Sequence, residues 1–397
     1  MTKKIVLAFP YHQLSGVPIL FSRLARELRR LNQQVVIVDF KDGALNTLTA
    51  DLDIERFCFV TGQNLAFDEN QTVIMQASSL EYLRPEYKFH PKTTLLFWHL
   101  HPDNLKLNKV KVLKNHSDFK KFRRPQLNKL RKFVHLIHEK NGLISMDETN
   151  LHETNRYHDT DLEVPICPIL IGEHTVTERP FLALTRWAYF GRVEGFKTNA
   201  IKKLIYSISE YNAESDAYIE LFIIGDGDDL QDLLKETRSL NLRITPLGVV
   251  RNHDISAVFA QYKISTVFAM GTAILDSMKA GCAVVKLNWF HFQTNLYPNY
   301  KLKVDEPSHC LGKEISTSEM QVASNLTDLF KRLEEDFVNI ISNQRLYLLE
   351  YFDDTKNTKK FLQHATRCEL KAIDVSEYLK RNIIRKTYHF LKYKIYR

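Results

Sequence analysis

The sequence predicts an α/β protein built from two doubly wound, Rossmann-like domains facing a central cleft, followed by a C-terminal helical segment. Two observations carry this. A strand, loop, helix and strand follow one another within the first 40 residues, which is the signature of a βαβ unit and a parallel sheet. A second, longer alternation of strands and helices runs from residue 186 to residue 287. The length of 397 residues fits two domains, or three, at roughly 100–200 residues each. A composition of 44% hydrophobic and 26% charged residues excludes collagen-like, mucin-like and wholly disordered chains.

In order along the chain, residues 4–10 (KIVLAFP) read as a buried strand and 11–18 as a loop. Residues 19–31 have helical spacing, with Leu20, Leu24, Leu28 and Leu31 on one face. Residues 34–40 (QVVIVDF) form the next strand, with later strands at 72–76 and 93–99 and weaker candidates at 142–145 and 163–171. The second series places strands at 186–191, 218–225, 243–247, 265–268 and 283–287. Helices fall between them at 199–211, 229–240, 254–262 and 273–279. A proline and glycine cluster between Pro165 and Pro180 reads as a linker. The expected domains are therefore 1–175, 176–365, and a basic helical tail at 366–397. Two such domains leave their cleft near the carboxyl ends of both sheets.

Five cysteines (Cys58, Cys167, Cys282, Cys310, Cys368) lie far apart with no CxxC pair. This argues against a disulfide framework or a zinc site and for a reducing compartment. The apolar stretch at 5–10 is too short for a signal-peptide core, and no uninterrupted apolar run approaches the ~18 residues of a membrane span. The expected location is cytoplasmic, peripheral on the inner face of the cell membrane.

Three motifs in the second series carry chemistry. Gly191-Arg192 ends a strand, with Lys197 five residues past the arginine; two cations beside a helix start suit a pyrophosphate, although two solvated loop cations would look the same. Gly225-Asp226-Gly227 follows the next strand, where glycines allow a tight turn and close approach to a ligand, or simply an ordinary βα turn. Asp226 and Asp228 also match the short DxD metal pattern, which the turn explains equally well. Finally, a strand runs into Met270-Gly271-Thr272 and a short helix carrying Asp276. The amides of Thr272 and Ala273 can hold phosphate, and Asp276 can accept from ribose hydroxyls or stand as a solvated helix residue.

Together these motifs resemble the C-terminal domain of retaining GT-B glycosyltransferases of the family 4 type. The matching residues are Gly191-Arg192 to Lys197, Gly225-Asp226-Gly227, Thr245 to Gly248, and the run from Asp276 through Gly281 to Val285. The resemblance covers about 100 residues, 187–285, with the first half alike only in fold. It implies a GT-B architecture, with 1–175 binding the acceptor and 176–365 the nucleotide-sugar, and a donor site at Gly16, Gly191, Gly225, Asp226, Gly248, Gly271, Thr272, Ala273 and Asp276. It also implies transfer with retention, no required metal or other cofactor, and Arg192 and Lys197 stabilising the departing diphosphate. Two departures stand out: the family's earlier glutamate, eight positions before Asp276, is Phe268 here, and Thr198 replaces the glycine after Lys197. In the first half, Ser15-Gly16-Val17 is expected beside the donor diphosphate and the acceptor. His99 or His101, at a strand end, is expected to touch the transferred sugar or the acceptor; a strand-end histidine is also commonly structural.

The net charge of +8 is unevenly placed. Residues 106–140 hold twelve lysines and arginines against Asp118 and Glu139, a net of +10, and 374–397 hold seven against Asp374 and Glu377, a net of +5. The rest of the chain is therefore acidic, at −7. Both basic segments are interleaved with apolar and aromatic residues, which suits an anionic membrane surface or a packed or solvated helix. No nucleic-acid-binding motif is present, so nucleic acid is not an expected partner. The expected partners are a nucleotide-sugar, a lipid-linked or glycan acceptor, and an anionic membrane touched by 106–140 and 374–397. The expected activity is glycosyl transfer in bacterial surface-glycan biosynthesis. An inactive GT-B binding module, suggested by Phe268, and an NAD-type dehydrogenase, disfavoured because the first loop lacks GxGxxG, are the rivals.

Overall fold

The computed structural model describes residues 3–77, 86–101, 103–107, 118–172, 183–251 and 254–379. The chain divides into two units, Met1–Leu170 with Asp354–Arg397, and Ile171–Asp353.

The first unit starts with β1 (Lys4–Ala8), α1 (Gly16–Arg30) and β2 (Val35–Asp39), the predicted βαβ unit. Helix α1 buries Leu20, Phe21, Leu24 and Leu28 on one face, as the leucine spacing predicts. It ends one residue before Leu31, where Asn32 adopts the left-handed conformation (φ 57°) that asparagine tolerates better than most residues. The chain continues through α2 (Ala44–Leu48), β3 (Glu55–Cys58), β4 (Leu65–Phe67), β5 (Gln71–Gln76), β6 (Tyr87–Phe89) and β7 (Thr94–His99). Then come α3 (Asp118–Glu139), β8 (Leu143–Ser145) and α4 (Glu148–His158). The main sheet is parallel in the order β3-β2-β1-β5-β7-β8; β4 and β6 pair separately. Strand β2 is buried along its whole length, as expected of a sheet covered on both faces. The candidate strand at 163–171 forms only a bridge, Ser145 to Ile166.

The second unit repeats the plan. Its elements are β9 (Arg186–Phe190), α5 (Thr198–Glu214), β10 (Glu220–Ile224), α6 (Leu230–Glu236), β11 (Ile244–Gly248), α7 (Ile255–Gln261), β12 (Thr266–Ala269), α8 (Thr272–Lys279) and β13 (Ala283–Lys286). All nine were predicted, within a few residues at each end. Beyond them lie β14 (Tyr297–Pro298), β15 (Lys301–Leu302), β16 (Met320–Gln321) and α9 (Leu326–Tyr351), in a stretch the sequence reading left without elements. The sheet order is β11-β10-β9-β12-β13-β15, parallel except for the antiparallel edge strand β15. Trp187, Tyr189, Phe268, Leu204 and Ile223 are fully buried in its core.

After Asp353 the chain returns to the first unit as α10 (Asp354–Arg367) and α11 (Ser376–Leu379). The sequence reading placed 354–365 with the second domain. The aromatic packing explains the earlier return: Phe361 stacks on Trp98 at 5.5 Å and Tyr378 meets Phe133 edge-on at 5.2 Å. Phe133, Val134 and Ile137 of α3 are buried. Phe133 and Val134, which the charge reading counted among apolar residues available to a membrane, therefore belong to the core. Of the two basic segments, 108–117 and 380–397 lie outside the described residues. No helix among the described residues is long and apolar enough to cross a membrane.

Candidate functional site

The predicted donor-site residues of the second unit lie along the carboxyl edge of one sheet. Sheet order puts Gly248, Gly225, Gly191 and the Gly271 turn side by side, each at or just past the end of β11, β10, β9 and β12. Three of these turns interlock through the backbone. The Gly191 amide donates to the Ile224 carbonyl at 2.9 Å, the Gly225 amide to the Gly248 carbonyl at 2.8 Å, and the Val193 amide to the Asp226 carbonyl at 3.0 Å. The glycines are required by space as well as by conformation. Gly225 has φ 134°, and a Cβ there would sit 2.1 Å from the Gly191 carbonyl oxygen; one at Gly227 would sit 2.2 Å from the Val193 carbonyl oxygen.

Residues that the motif reading passed over hold this edge in shape. The Tyr189 hydroxyl donates to the Arg192 carbonyl at 2.9 Å. One Asp229 carboxylate oxygen accepts from the Gly195 amide at 2.7 Å and from the Thr198 hydroxyl at 2.6 Å. Thr198, the departure from the family's glycine, thus braces the turn that carries Lys197. The sequence signal for Asp229 was an acidic residue just before a helix, which reads as an ordinary cap.

The two predicted cations differ sharply. Arg192 is exposed and paired with Glu194 at 3.0 Å. Lys197 is half-buried, and among the described residues its ammonium has no hydrogen-bond or ion-pair partner. It lies 5.7 Å from the Phe196 ring centre. Burial, aided by the Arg192 charge and opposed by Glu194, holds its pKa below the ordinary lysine value. A half-buried cation in a sheet-end turn, outside ion-pair distance of every described carboxylate, can attract an anion.

The remaining predicted residues are placed as follows. Asp226 is exposed, with one oxygen accepting from the Gly227 amide at 2.8 Å, so it closes its own turn. Gly271 (φ 66°) precedes α8 with open space where a Cβ would be, and no side chain caps the helix, leaving the amides of Thr272 and Ala273 at its head. Asp276 is half-buried one turn further along. Phe268 is fully buried in β12, so the position of the missing glutamate belongs to the core.

In the first unit, Gly16 opens α1, exposed and without a side-chain cap. His99, at the end of β7, is 1% exposed. Its ring nitrogens lie 3.5 Å from the Ser145 hydroxyl and 3.3 Å from the Thr154 hydroxyl, and burial drives its pKa down to about 3. It is a neutral internal residue of this unit, out of reach of a substrate in this structure. His101 is exposed, and its Nδ1 accepts from the Asp103 amide at 3.1 Å. The strand-end acid Asp39, which no motif pointed to, is fully buried. It accepts four backbone amides, from Tyr11 and Phe40 at one oxygen and Leu45 and Asn46 at the other, at 2.8–3.1 Å. A dinucleotide enzyme of this topology uses an acid here for ribose. In this chain that carboxylate is closed off by the protein's own backbone amides.

The chain is therefore a two-unit Rossmann-like protein with glycine turns and a half-buried lysine at one sheet's carboxyl edge, and the fold is that of GT-B glycosyltransferases. The crystal structure of Anabaena HepE in complex with UDP matches with a TM-score of 0.57 at 12% identity, covering 92% of this chain and 99% of that one. A HepE structure with UDP-glucose matches with a TM-score of 0.54 at 12% identity, over the same shares of the two chains. A glycosyltransferase from Rickettsia africae matches with a TM-score of 0.56 at 11% identity, covering 96% of this chain and all of that one. No protein-family model matches the chain, and no characterised protein matches it by sequence.

Proposed function

We propose that the chain is a glycosyltransferase that takes a sugar from a nucleotide-sugar and passes it, with retention, to a lipid-linked or polysaccharide acceptor in bacterial surface-glycan assembly. The observation that carries the reading is Lys197, a half-buried ammonium outside ion-pair distance of every described carboxylate, in the turn that follows β9. In this reading Lys197 and the amides of Thr272 and Ala273 hold the diphosphate and stabilise its charge as the bond to the sugar breaks. Arg192 leaves Glu194 to join them, and Asp276 accepts from ribose. The UDP and UDP-glucose held by the HepE structures support a nucleotide-sugar as donor. Contact with an anionic membrane falls to the lysines and arginines of 106–140 and 374–397, with Phe133 and Val134 kept for the core.

The test is calorimetric titration with UDP and with GDP. Binding that weakens about tenfold or more in Lys197→Ala supports the reading; no binding of either diphosphate by the wild type overturns it. Transfer of radiolabelled sugar from a panel of nucleotide-sugars into membranes tests catalysis. The apolar Phe268 favours one second reading, an inactive binding module. Its outcome is nucleotide binding with no transfer.

A further inference from the structure

The second unit contains a cavity of about 420 Å³ on the flank of α5, lined among others by Lys203, Tyr206, Phe292, Gln293, Asn295 and Tyr297. That volume falls in the range of small-ligand sites. The cavity runs along the flank of α5 from Asn199, in its first turn, to Glu210, and Lys197 is not among its lining residues.

The lining combines aromatic rings with three polar side chains, Gln293, Asn295 and Lys203, that make no hydrogen bond or ion pair among the described residues. The amide side chains of Gln293 and Asn295 are exposed and make no hydrogen bond among the described residues. The Lys203 ammonium has no carboxylate within ion-pair distance among the described residues; it lies 4.9 Å from the Tyr297 ring centre, and burial lowers its pKa. Tyr297 is held in place twice. Its hydroxyl donates to Glu210, and its backbone pairs with Gln321 in the small β14–β16 sheet. Burial and Glu210 push its pKa up to about 12, so it keeps its proton. The rings of Tyr206, Phe292 and Tyr297, beside amides and an ammonium that offer donors and acceptors, match a ligand with apolar C–H patches and a periphery of hydroxyls.

We propose that this cavity is a carbohydrate-binding site, separate from the nucleotide turn, that takes one segment of an oligosaccharide. The cavity's own chemistry suits a glycan whether or not a nucleotide binds at the Lys197 turn. The loop that forms its wall leads directly from Trp289 and His291, whose rings contact Phe196 of the Lys197 turn at 5.2 and 6.3 Å. A glycan seated here would therefore lie on the same loop that braces the donor turn.

The probe is an immobilised array of short oligosaccharides, neutral and uronate-containing, presented to the full chain in saturating UDP. Binding to array members is expected in the wild type and in Lys197→Ala. It is expected to weaken at least about tenfold in the double variant Gln293→Ala/Asn295→Ala, the effect of losing hydrogen bonds to a bound ligand. Both residues are exposed, so the variant keeps its fold, which an unchanged melting temperature verifies. Loss of ring stacking in Phe292→Ala is a second, independent expectation. Binding that survives both sets of variants, or an array on which no member binds, overturns the proposal. Loss of glycan binding in Lys197→Ala alone would also overturn it, by placing the glycan at the nucleotide turn.

Discussion

The two units use one architecture to opposite ends. Each is a parallel sheet wound on both faces, and each gathers polar groups where its strands finish. In the first unit those groups turn inward: Asp39 holds four backbone amides, and His99 is sealed between two hydroxyls. In the second they are left open: Lys197 makes no ion pair or hydrogen bond among the described residues, and the amides heading α8 have no side-chain cap. A polar group at a strand end marks a ligand site only when the fold has not already satisfied it.

The largest expected effect tests whether the open edge depends on its glycines. Gly225→Ala puts a methyl 2.1 Å from the Gly191 carbonyl oxygen at a φ of 134°. Relief requires the β9–β10 ends to move apart. The expected cost exceeds about 4 kcal/mol, enough to prevent the native second unit from forming. A variant that melts within a few degrees of the wild type would show that the turns are not interlocked.

Acid comes next and acts on the closed edge. His99 has a folded pKa of about 3 against 6.5 in the unfolded chain, so the unfolded state takes up its proton first. Its contribution is present above about pH 6.5 and is lost progressively as the pH falls toward 3, by up to about 4–5 kcal/mol. His99→Gln is expected to flatten the fall in melting temperature between these limits. An unchanged pH profile would mean that the ring does not titrate as a buried group.

Asp39→Asn is a smaller and isosteric test. One side-chain oxygen becomes an NH₂ facing two backbone donors, at an expected cost of about 2–4 kcal/mol in urea unfolding. UDP affinity should not change, because Asp39 and Lys197 belong to different units. A loss of affinity larger than the loss of stability would return Asp39 to the functional residues.

Much of this was legible in the sequence. Nine alternating elements of the second unit followed from hydrophobic runs, and Gly191, Gly225 and Gly248 were found because strand–glycine–helix turns are local patterns. What was not legible is non-local. The return of α10 to the first unit depends on Phe361 meeting Trp98, 263 residues away in the chain. Burial of His99 depends on Ser145 and Thr154, and the satisfaction of Asp39 on a loop residue, Tyr11, 28 positions earlier. Spacing identified which residue types stand at strand ends; only packing separated the satisfied ones from the open ones. The opposite states of Arg192 and Lys197, five residues apart, show this most directly.

That pair supplies the finest test. Arg192 is exposed and already paired with Glu194 at 3.0 Å, so binding a diphosphate must exchange one counter-charge for another in high dielectric. Removing it should weaken UDP binding only about threefold, and added salt should erase the difference. Lys197 is half-buried and gives up no ion pair, so Lys197→Ala should lose about tenfold or more, with much less dependence on salt. The double variant Arg192→Ala/Glu194→Ala sharpens the contrast. If Glu194 merely occupies the arginine, removing both should bind UDP no more weakly than Arg192→Ala. If Arg192 instead swings fully onto the phosphates, both arginine variants will match Lys197→Ala in size and salt response, and burial will not have been what distinguishes the two cations.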